Sequence, residues 1–71
     1  MFDKAKFKYY VDARGYTMTK MADVLDINVT TLYRKMNGES DFTRAEMQNI
    51  KNALSLSIME SNEIFFAPEL A

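Results

Sequence analysis

The chain has 71 residues, nine basic and ten acidic side chains, and neither cysteine nor histidine. This length predicts a single domain, residues 1–71, that buries about 60% of its unfolded surface. Disulfide bonds are excluded, and the usual zinc ligands are missing, so we expect no metal and no cofactor. No apolar run approaches the roughly 20 residues that cross a bilayer, and the N-terminus lacks the apolar core of a signal peptide. We therefore expect a soluble cytoplasmic protein with no membrane partner.

The charges are unevenly distributed along the chain. Residues 1–37 carry seven basic and four acidic side chains, a net charge of +3, whereas residues 38–71 carry two basic and six acidic side chains, a net charge of −4. A basic surface attracts phosphate. We expect the first half to meet an anionic partner and the second half to face away.

The first two helices are predicted from caps and apolar spacing. Asp3 can cap the first helix and Gly15 should end it. Its inner face contains apolar side chains three and four residues apart: Phe7, Tyr10 and Val11. Thr17 caps the second helix, and Tyr16 with Met21 forms the apolar contact that fixes a helix entry.

The third helix is predicted to follow after a tight turn. Asn28 is its cap, Ile27 can pack on Leu32, and Gly38 ends it. Residues 17–38, TMTKMADVLDINVTTLYRKMNG, therefore read as a helix-turn-helix. Small and apolar residues fall where the two helices must cross, and we assign them to the core: Ala22, Leu25, Ile27, Leu32 and Met36.

Two more helices complete the prediction. Thr43 and Glu46 form a capping box at the start of the fourth helix, and Phe42 can pack on Met47. This helix continues through apolar side chains at helical spacing: Met47, Ile50, Ala53 and Leu54. A second capping box, Ser57 to Glu60, opens a short fifth helix, which Pro68 stops. The side chains expected to return to the core are Ile58 and Phe65, with Ile64 or Phe66.

The fold class is therefore all-α, a compact bundle of about five short helices. Phe65 and Phe66 are adjacent aromatics on a short helix, so both cannot point inward. The outward one is a candidate dimer contact.

The third helix carries the residue types that read DNA bases. If Leu32 points inward, Thr30 and Arg34 lie on the opposite side of the helix, with Tyr33 and Asn37 on the flank. Arginine can donate two hydrogen bonds to guanine, and threonine and valine can contact a base edge or a thymine methyl. The candidate base-reading residues are Val29, Thr30, Tyr33 and Arg34. Two alternatives stay open: Tyr33 packs on Phe42 or the following loop, and Arg34 is solvated or paired with an aspartate or glutamate within the protein.

Candidate phosphate contacts lie on both sides of that helix. The first turn of the second helix offers free backbone N–H groups beside polar side chains, and short polar residues follow the third helix. The candidate residues are Thr19, Lys20, Asn28, Lys35, Asn37, Gly38 and Ser40.

The segment RGYTMTKMADVLDINVTTLYRKMNG resembles the core of the xenobiotic-response-element (XRE) family of helix-turn-helix regulators. The segment FTRAEMQNIKNALSL resembles the family's fourth helix, and IFFAPELA resembles the end of compact phage-encoded members. The resemblance implies a lambda-repressor-like fold, with base reading at Val29, Thr30 and Arg34 and phosphate contacts at Lys20 and residues 37–40. Three residues depart from the family pattern: Met18, where glutamine is frequent, Asp26, where glycine is frequent, and Glu39, where a basic residue is common.

The function expected from these features is regulation of transcription by operator occupancy, as in a phage or prophage repressor, with a nucleoid-associated location. One recognition helix reads too few bases for a unique site, so we expect a homodimer on an inverted repeat. We expect no small-molecule ligand. We also expect no enzyme, because histidine, cysteine and a phosphate-binding glycine loop are all missing. The alternative is a protein-interaction module of the same fold, an antirepressor or adaptor, which the net acidity favours.

Overall fold

The computed structural model describes residues 1–68 and contains five α-helices in that range. They are α1 (Lys4–Ala13), α2 (Met18–Val24), α3 (Val29–Met36), α4 (Arg44–Ala53) and α5 (Ile58–Phe65). All regular structure in these 68 residues is helical, which confirms the predicted all-α bundle with a helix-turn-helix. No helix among them is long and apolar enough to cross a membrane. The last three residues of the segment IFFAPELA lie outside the described residues.

Every helix begins at its predicted cap. A side-chain oxygen of the cap accepts a hydrogen bond from a backbone N–H of the first turn, at 2.8–3.1 Å. The five caps are Asp3, Thr17, Asn28, Thr43 and Ser57. In α4 and α5 the glutamate at the third helical position also accepts from the cap's own N–H, so both predicted capping boxes are confirmed. These bonds satisfy N–H groups that a helix start leaves without partners.

Three of the helix junctions combine the same backbone turn with a helix cap that follows it directly. Each has a residue at positive φ just after the helix: Gly15 at 80°, Asp26 at 55° and Ser55 at 51°. The next residue donates its N–H to the carbonyl five residues earlier, as in the bond of 3.0 Å from Ile27 to Ala22. A helix cap follows, so one helix ends and the next begins within four residues. The tight turn predicted after the second helix is confirmed, whereas the positive φ of Ser55 was not predicted.

Within residues 1–68 the core is formed by twelve buried apolar residues. They come from all five helices and from the α2–α3 and α4–α5 turns: Phe7, Val11, Met21, Ala22, Leu25, Leu32, Met36, Ile50, Leu54, Leu56, Ile64 and Phe65. Ile27 is only partly buried and packs against this core. The prediction that Ile58 is a core residue was wrong, because it is the first residue of α5 and its side chain is 69% exposed. Ile64 and Phe65 close the core instead, and Phe66 points outward.

An aromatic cluster ties the N-terminal segment to the rest of the bundle. The ring of Phe2 lies 5.3 Å from that of Phe7, 5.0 Å from that of Phe42 and 5.6 Å from that of Phe65, between centroids. Such pairs add stability beyond the area they bury. Sequence patterning missed Phe2 because it lies before the first helix and belongs to no helical repeat.

Candidate nucleic-acid interface

The helix-turn-helix is held together by small and buried side chains. Ala22 on α2 is 2% exposed, and Leu32 on α3 is completely buried. The small side chain of Ala22 lets the backbones approach closely, and Leu32 fixes which face of α3 turns inward. The opposite face of α3 is therefore presented to the surroundings.

That outer face is polar and accessible. Thr30 and Arg34 are exposed, and Tyr33 is 39% exposed. Within residues 1–68 the side chains of these three residues form no hydrogen bond or ion pair with the protein, so the internal pairing considered for Arg34 is not observed there. Val29 differs from them, because it is partly buried and packs against the core. Three of the four candidate base-reading residues thus share one accessible surface, and Val29 lies at its edge.

Residues at the start of the two helices extend this surface. Thr19 and Lys20 are exposed on the first turn of α2. The Asn28 side-chain oxygen accepts the N–H of Thr30 at 2.8 Å as the α3 cap. Its amide N–H groups stay available as donors to a ligand. Asn28 can therefore cap the helix and contact a phosphate at the same time.

The end of α3 is held by a hydrogen bond that was not predicted from the sequence. The Lys4 Nζ atom donates to the side-chain oxygen of Asn37 at 2.8 Å, which joins the start of α1 to the end of α3. Sequence reasoning missed Lys4 because 33 residues separate the two positions. Ser40 is exposed in the following loop. Gly38 has a φ of 82°, and a Cβ there would meet nothing within 4 Å. Glycine is therefore required for the backbone turn rather than for space.

The ammonium group of Lys35 is held by contacts within the protein. Its side chain is only 10% exposed, and its Nζ atom donates to the backbone oxygen of Asp41 and to Glu46, both at 2.9 Å. The ring of Phe42 lies 5.9 Å from the same ammonium group. Lys35 thus joins α3 to the loop and to α4, and its charge is used inside the protein. This position does not support the predicted phosphate contact.

The Lys35 contact also changes the ionisation of Glu46. Partial burial opposes the charged form, but the hydrogen bonds from Thr43 and Lys35 and the nearby ammonium charge outweigh it, so the pKa of Glu46 is lowered. Glu60 at the start of α5 has a lowered pKa for a related reason, chiefly the hydrogen bond from the Ser57 backbone. Hydrogen bonds to a carboxylate favour its charged form.

The basic first half of the chain is partly neutralised by the acidic second half. Three ion pairs join the halves within the described residues: Lys6–Glu63 at 3.3 Å, Arg14–Glu60 at 4.0 Å and Lys35–Glu46 at 2.9 Å. Lys6, Arg14 and Lys35 are thus paired within the protein. On α2 and α3, Lys20 and Arg34 have no ion-pair partner within residues 1–68.

Comparison with known proteins supports this reading of α2 and α3. A family model described as "Bacterial regulatory protein, Fis family" matches residues 12–37, from the end of α1 to the residue after α3. This stretch forms a helix-turn-helix of the DNA-binding type. No curated protein and no solved structure matched the chain. The match supports a helix-turn-helix regulator and does not single out the XRE family or a phage origin.

Proposed function

We propose that this chain is a sequence-specific regulator of transcription that binds duplex DNA with α3 in the major groove. The observation that carries the proposal is the accessible polar face of α3, which displays Thr30, Tyr33 and Arg34. A major groove accepts an α-helix, and its base pairs present distinct patterns of donors and acceptors. The match of residues 12–37 to a regulatory helix-turn-helix supports the same function.

Each residue on this face has a distinct role in the proposal. Arg34 donates two hydrogen bonds to guanine, because the guanidinium fork fits the O6 and N7 acceptors. Thr30 contacts a base edge through its hydroxyl or its methyl group. Tyr33 contacts a base at the flank, and the exposed part of Val29 contacts a thymine methyl.

The proposed phosphate contacts lie around the recognition helix. They are Thr19, Lys20, Asn28, Asn37, Gly38 and Ser40, without Lys35 because its ammonium group is held by Glu46. Contacts of this kind set the register of the protein on the duplex and carry no sequence information.

The proposed mode of action is occupancy, in which a protein bound at an operator blocks polymerase or a competing regulator. We further propose a single domain over residues 1–71, of the XRE type and repressor-like as in phages. The order of five helices, with the helix-turn-helix at the second and third, supports this assignment, together with the sequence resemblance. A homodimer on an inverted repeat belongs to the same proposal, because two recognition helices read a longer site.

The experiment that tests the proposal is selection from a random duplex library at moderate salt, followed by sequencing of the retained DNA. We expect an enriched motif whose affinity falls as salt rises, because phosphate contacts release counterions. No enrichment from a protein with the expected helical circular dichroism spectrum would contradict the proposal.

A protein-interaction module of the same fold is the second candidate. The observation that favours it is the acidic character of the surface near α3, where Asp23, Asp26, Glu39 and Asp41 are all exposed. Titration of the enriched duplex and of an unrelated duplex, each at several salt concentrations, separates the two functions. The interaction module predicts weak binding to every duplex sequence, whereas the regulator predicts tight binding to one motif.

A further inference from the structure

Lys4, the first residue of α1, is an exposed cation whose position is fixed at both ends of its side chain. The backbone before it is held by a 2.7 Å hydrogen bond from the Asp3 N–H to the Ile64 carbonyl. The ring of Phe2 adds the contacts of the aromatic cluster. At the other end, the Lys4 Nζ atom donates to the Asn37 side-chain oxygen at 2.8 Å. The fold therefore holds this ammonium group at one place on the surface.

That place is the C-terminal end of the outer face of α3. Asn37 is the C-cap of α3 and lies three residues after Arg34 and seven after Thr30, so it continues the face that these side chains form. Lys4 also borders a hollow of about 760 Å³ with the three phosphate candidates at this end of the helix: Asn37, Gly38 and Ser40. The Lys4 ammonium group thus lies beside proposed DNA contacts, although its own position in the sequence is far from them.

The charge of Lys4 is not compensated by a carboxylate. Three other cations of the first half each lie within 4.0 Å of one: Lys6, Arg14 and Lys35. In the part of the chain that the structure describes, no carboxylate lies that close to the Lys4 ammonium group. Its partner is the neutral amide of Asn37, which accepts one of three N–H groups. Two N–H groups and the full positive charge are left for an anion.

The same hydrogen bond prepares Asn37 for an anion. The amide oxygen is occupied by Lys4, so the amide contributes only its two N–H groups to a further ligand. Lys4 and Asn37 together therefore present donors and a positive charge. A phosphate offers acceptor oxygens and a negative charge, and hydrogen bonds between charged partners are stronger than neutral ones.

The surroundings make a cation necessary at this end of α3. Glu39 and Asp41 are both exposed in the loop that follows the helix, and their charges repel phosphate. Lys35 does not offset them, because its ammonium group is held by Glu46 at 2.9 Å. Within residues 1–68, Lys4 is the cation that borders the hollow without a carboxylate partner.

We propose that the Lys4 ammonium group, held by Asn37, binds a backbone phosphate of duplex DNA at the C-terminal end of α3. The inference rests on the proposed function and deepens it, because Lys4 lies outside residues 12–37, which match the regulatory family model. A contact of this kind adds affinity and fixes the register of α3 on the duplex, and it leaves the choice of bases to the outer face of that helix.

The salt dependence of duplex affinity tests the charge of Lys4. Each phosphate that the protein neutralises contributes about −0.9 to the slope of log K against log salt concentration. We expect Lys4→Met to make the slope shallower by about 1 and to lower affinity about fivefold to tenfold at roughly 0.1 M salt, for preferred and unrelated duplexes alike. Lys4→Arg should stay within about twofold of wild type, because guanidinium keeps the charge and the donors.

Lys6→Met is the matched control. It removes the same charge from an exposed position of α1 that lies about 200° around the helix from Lys4. The Lys6 ammonium group already pairs with Glu63, so its removal should leave the salt slope equal to that of wild type. An unchanged slope for Lys4→Met, or an equal change for the control, would overturn the proposal. A purely structural role of Lys4 would lower stability without changing the slope.

A double-mutant cycle tests whether Asn37 acts together with Lys4. Asn37→Ala removes the oxygen that holds the ammonium group. If the two side chains bind one phosphate as a unit, the double variant should bind at least about threefold more tightly than the product of the two single losses predicts. The same cycle between Lys6 and Asn37 should give losses that multiply. Losses that multiply for Lys4 and Asn37 as well would contradict the joint contact.

The failure of this inference is distinguishable from the failure of the proposed function. Wild-type binding to an enriched duplex, with a salt slope that Lys4→Met leaves unchanged, would refute the Lys4 contact and leave the DNA-binding proposal standing. Absent binding of every duplex by folded wild type would refute both.

Discussion

The α2–α3 and α4–α5 junctions have the same backbone turn, although only the first was predicted to be a DNA-binding element. In both, a residue at positive φ, Asp26 or Ser55, is followed by an apolar residue and then by a helix cap. The apolar residue donates its N–H to the carbonyl five residues earlier, at 3.0 Å in each case. The equivalent positions are 29 residues apart along the chain.

The two helices that follow these turns differ in what they expose. In α3 the outward positions carry Thr30, Tyr33, Arg34 and Asn37, and at the equivalent positions α5 and the residue after it carry Met59, Asn62, Glu63 and Phe66. A cation in α3 is thus replaced by a carboxylate in α5, and two polar side chains by large apolar ones. The same turn therefore builds both helix pairs, whereas the outer faces of the helices that follow it differ in charge and hydropathy.

The largest expected effect comes from removing a buried anchor of either helix. Leu32 in α3 and Ile64 in α5 are both completely buried. We expect Leu32→Ala and Ile64→Ala each to lower the free energy of unfolding by about 2–5 kcal/mol, because each leaves a cavity in a small core. Urea denaturation measures both. A loss below about 1 kcal/mol at one site would show that its helix is not anchored as the shared turn implies.

The next largest effect is a loss of DNA affinity and concerns the outer face of α3. We expect Arg34→Ala to lower affinity for the preferred duplex by about 1–3 kcal/mol and to relax the preference for one base pair. The thermal unfolding midpoint should change little, since the Arg34 side chain has no partner within residues 1–68. Lys8→Ala is the control, because it removes an exposed cation from α1. Equal losses from both variants would indicate a general charge effect instead of base reading.

A smaller effect concerns the contact between α3 and α4, the ion pair of Lys35 with Glu46. The lowered pKa of Glu46 means that its carboxylate stabilises the folded protein above the ordinary value of 4.5. That contribution is lost as pH falls through the folded-state pKa. We expect Glu46→Gln to lower the free energy of unfolding by about 1–2 kcal/mol at pH 7, since the amide cannot pair with the Lys35 charge.

Urea denaturation at several pH values checks this prediction. The difference in free energy of unfolding between wild type and Glu46→Gln should disappear as the pH falls from 5 to 3. Glu39→Gln, a control at an exposed loop position, should show the same pH dependence of stability as wild type. An advantage that persists at pH 3 would contradict the role of the ion pair.

Most of the fold was predictable because its signals are local. Caps, capping boxes and apolar spacing act within one or two turns of a helix, so all five helix starts were identified. Contacts between distant segments were not predictable. The aromatic contacts of Phe2, the bond from Lys4 to Asn37 and the ion pair of Lys35 each depend on how the helices pack. The accessible face of α3 could be inferred from Leu32 alone, but the neutralised charge of Lys35 could not.

The smallest expected effect concerns backbone strain in the α2–α3 and α4–α5 turns. Ser55 and Asp26 both adopt positive φ, which is strained for residues other than glycine, although aspartate tolerates it better than most. We expect Ser55→Gly to raise the free energy of unfolding by about 0.5–1 kcal/mol and Asp26→Gly to raise it less. Ser40→Gly is the control, because Ser40 is a loop residue whose own φ is not positive, and it should be slightly destabilising because glycine increases the entropy of the unfolded chain. Equal gains at both turns would mean that the aspartate side chain does not relieve the strain. A rise in the free energy of unfolding for Ser40→Gly as well would show that the effect does not arise from the backbone angle. The positive φ shared by the two turns would then not affect stability.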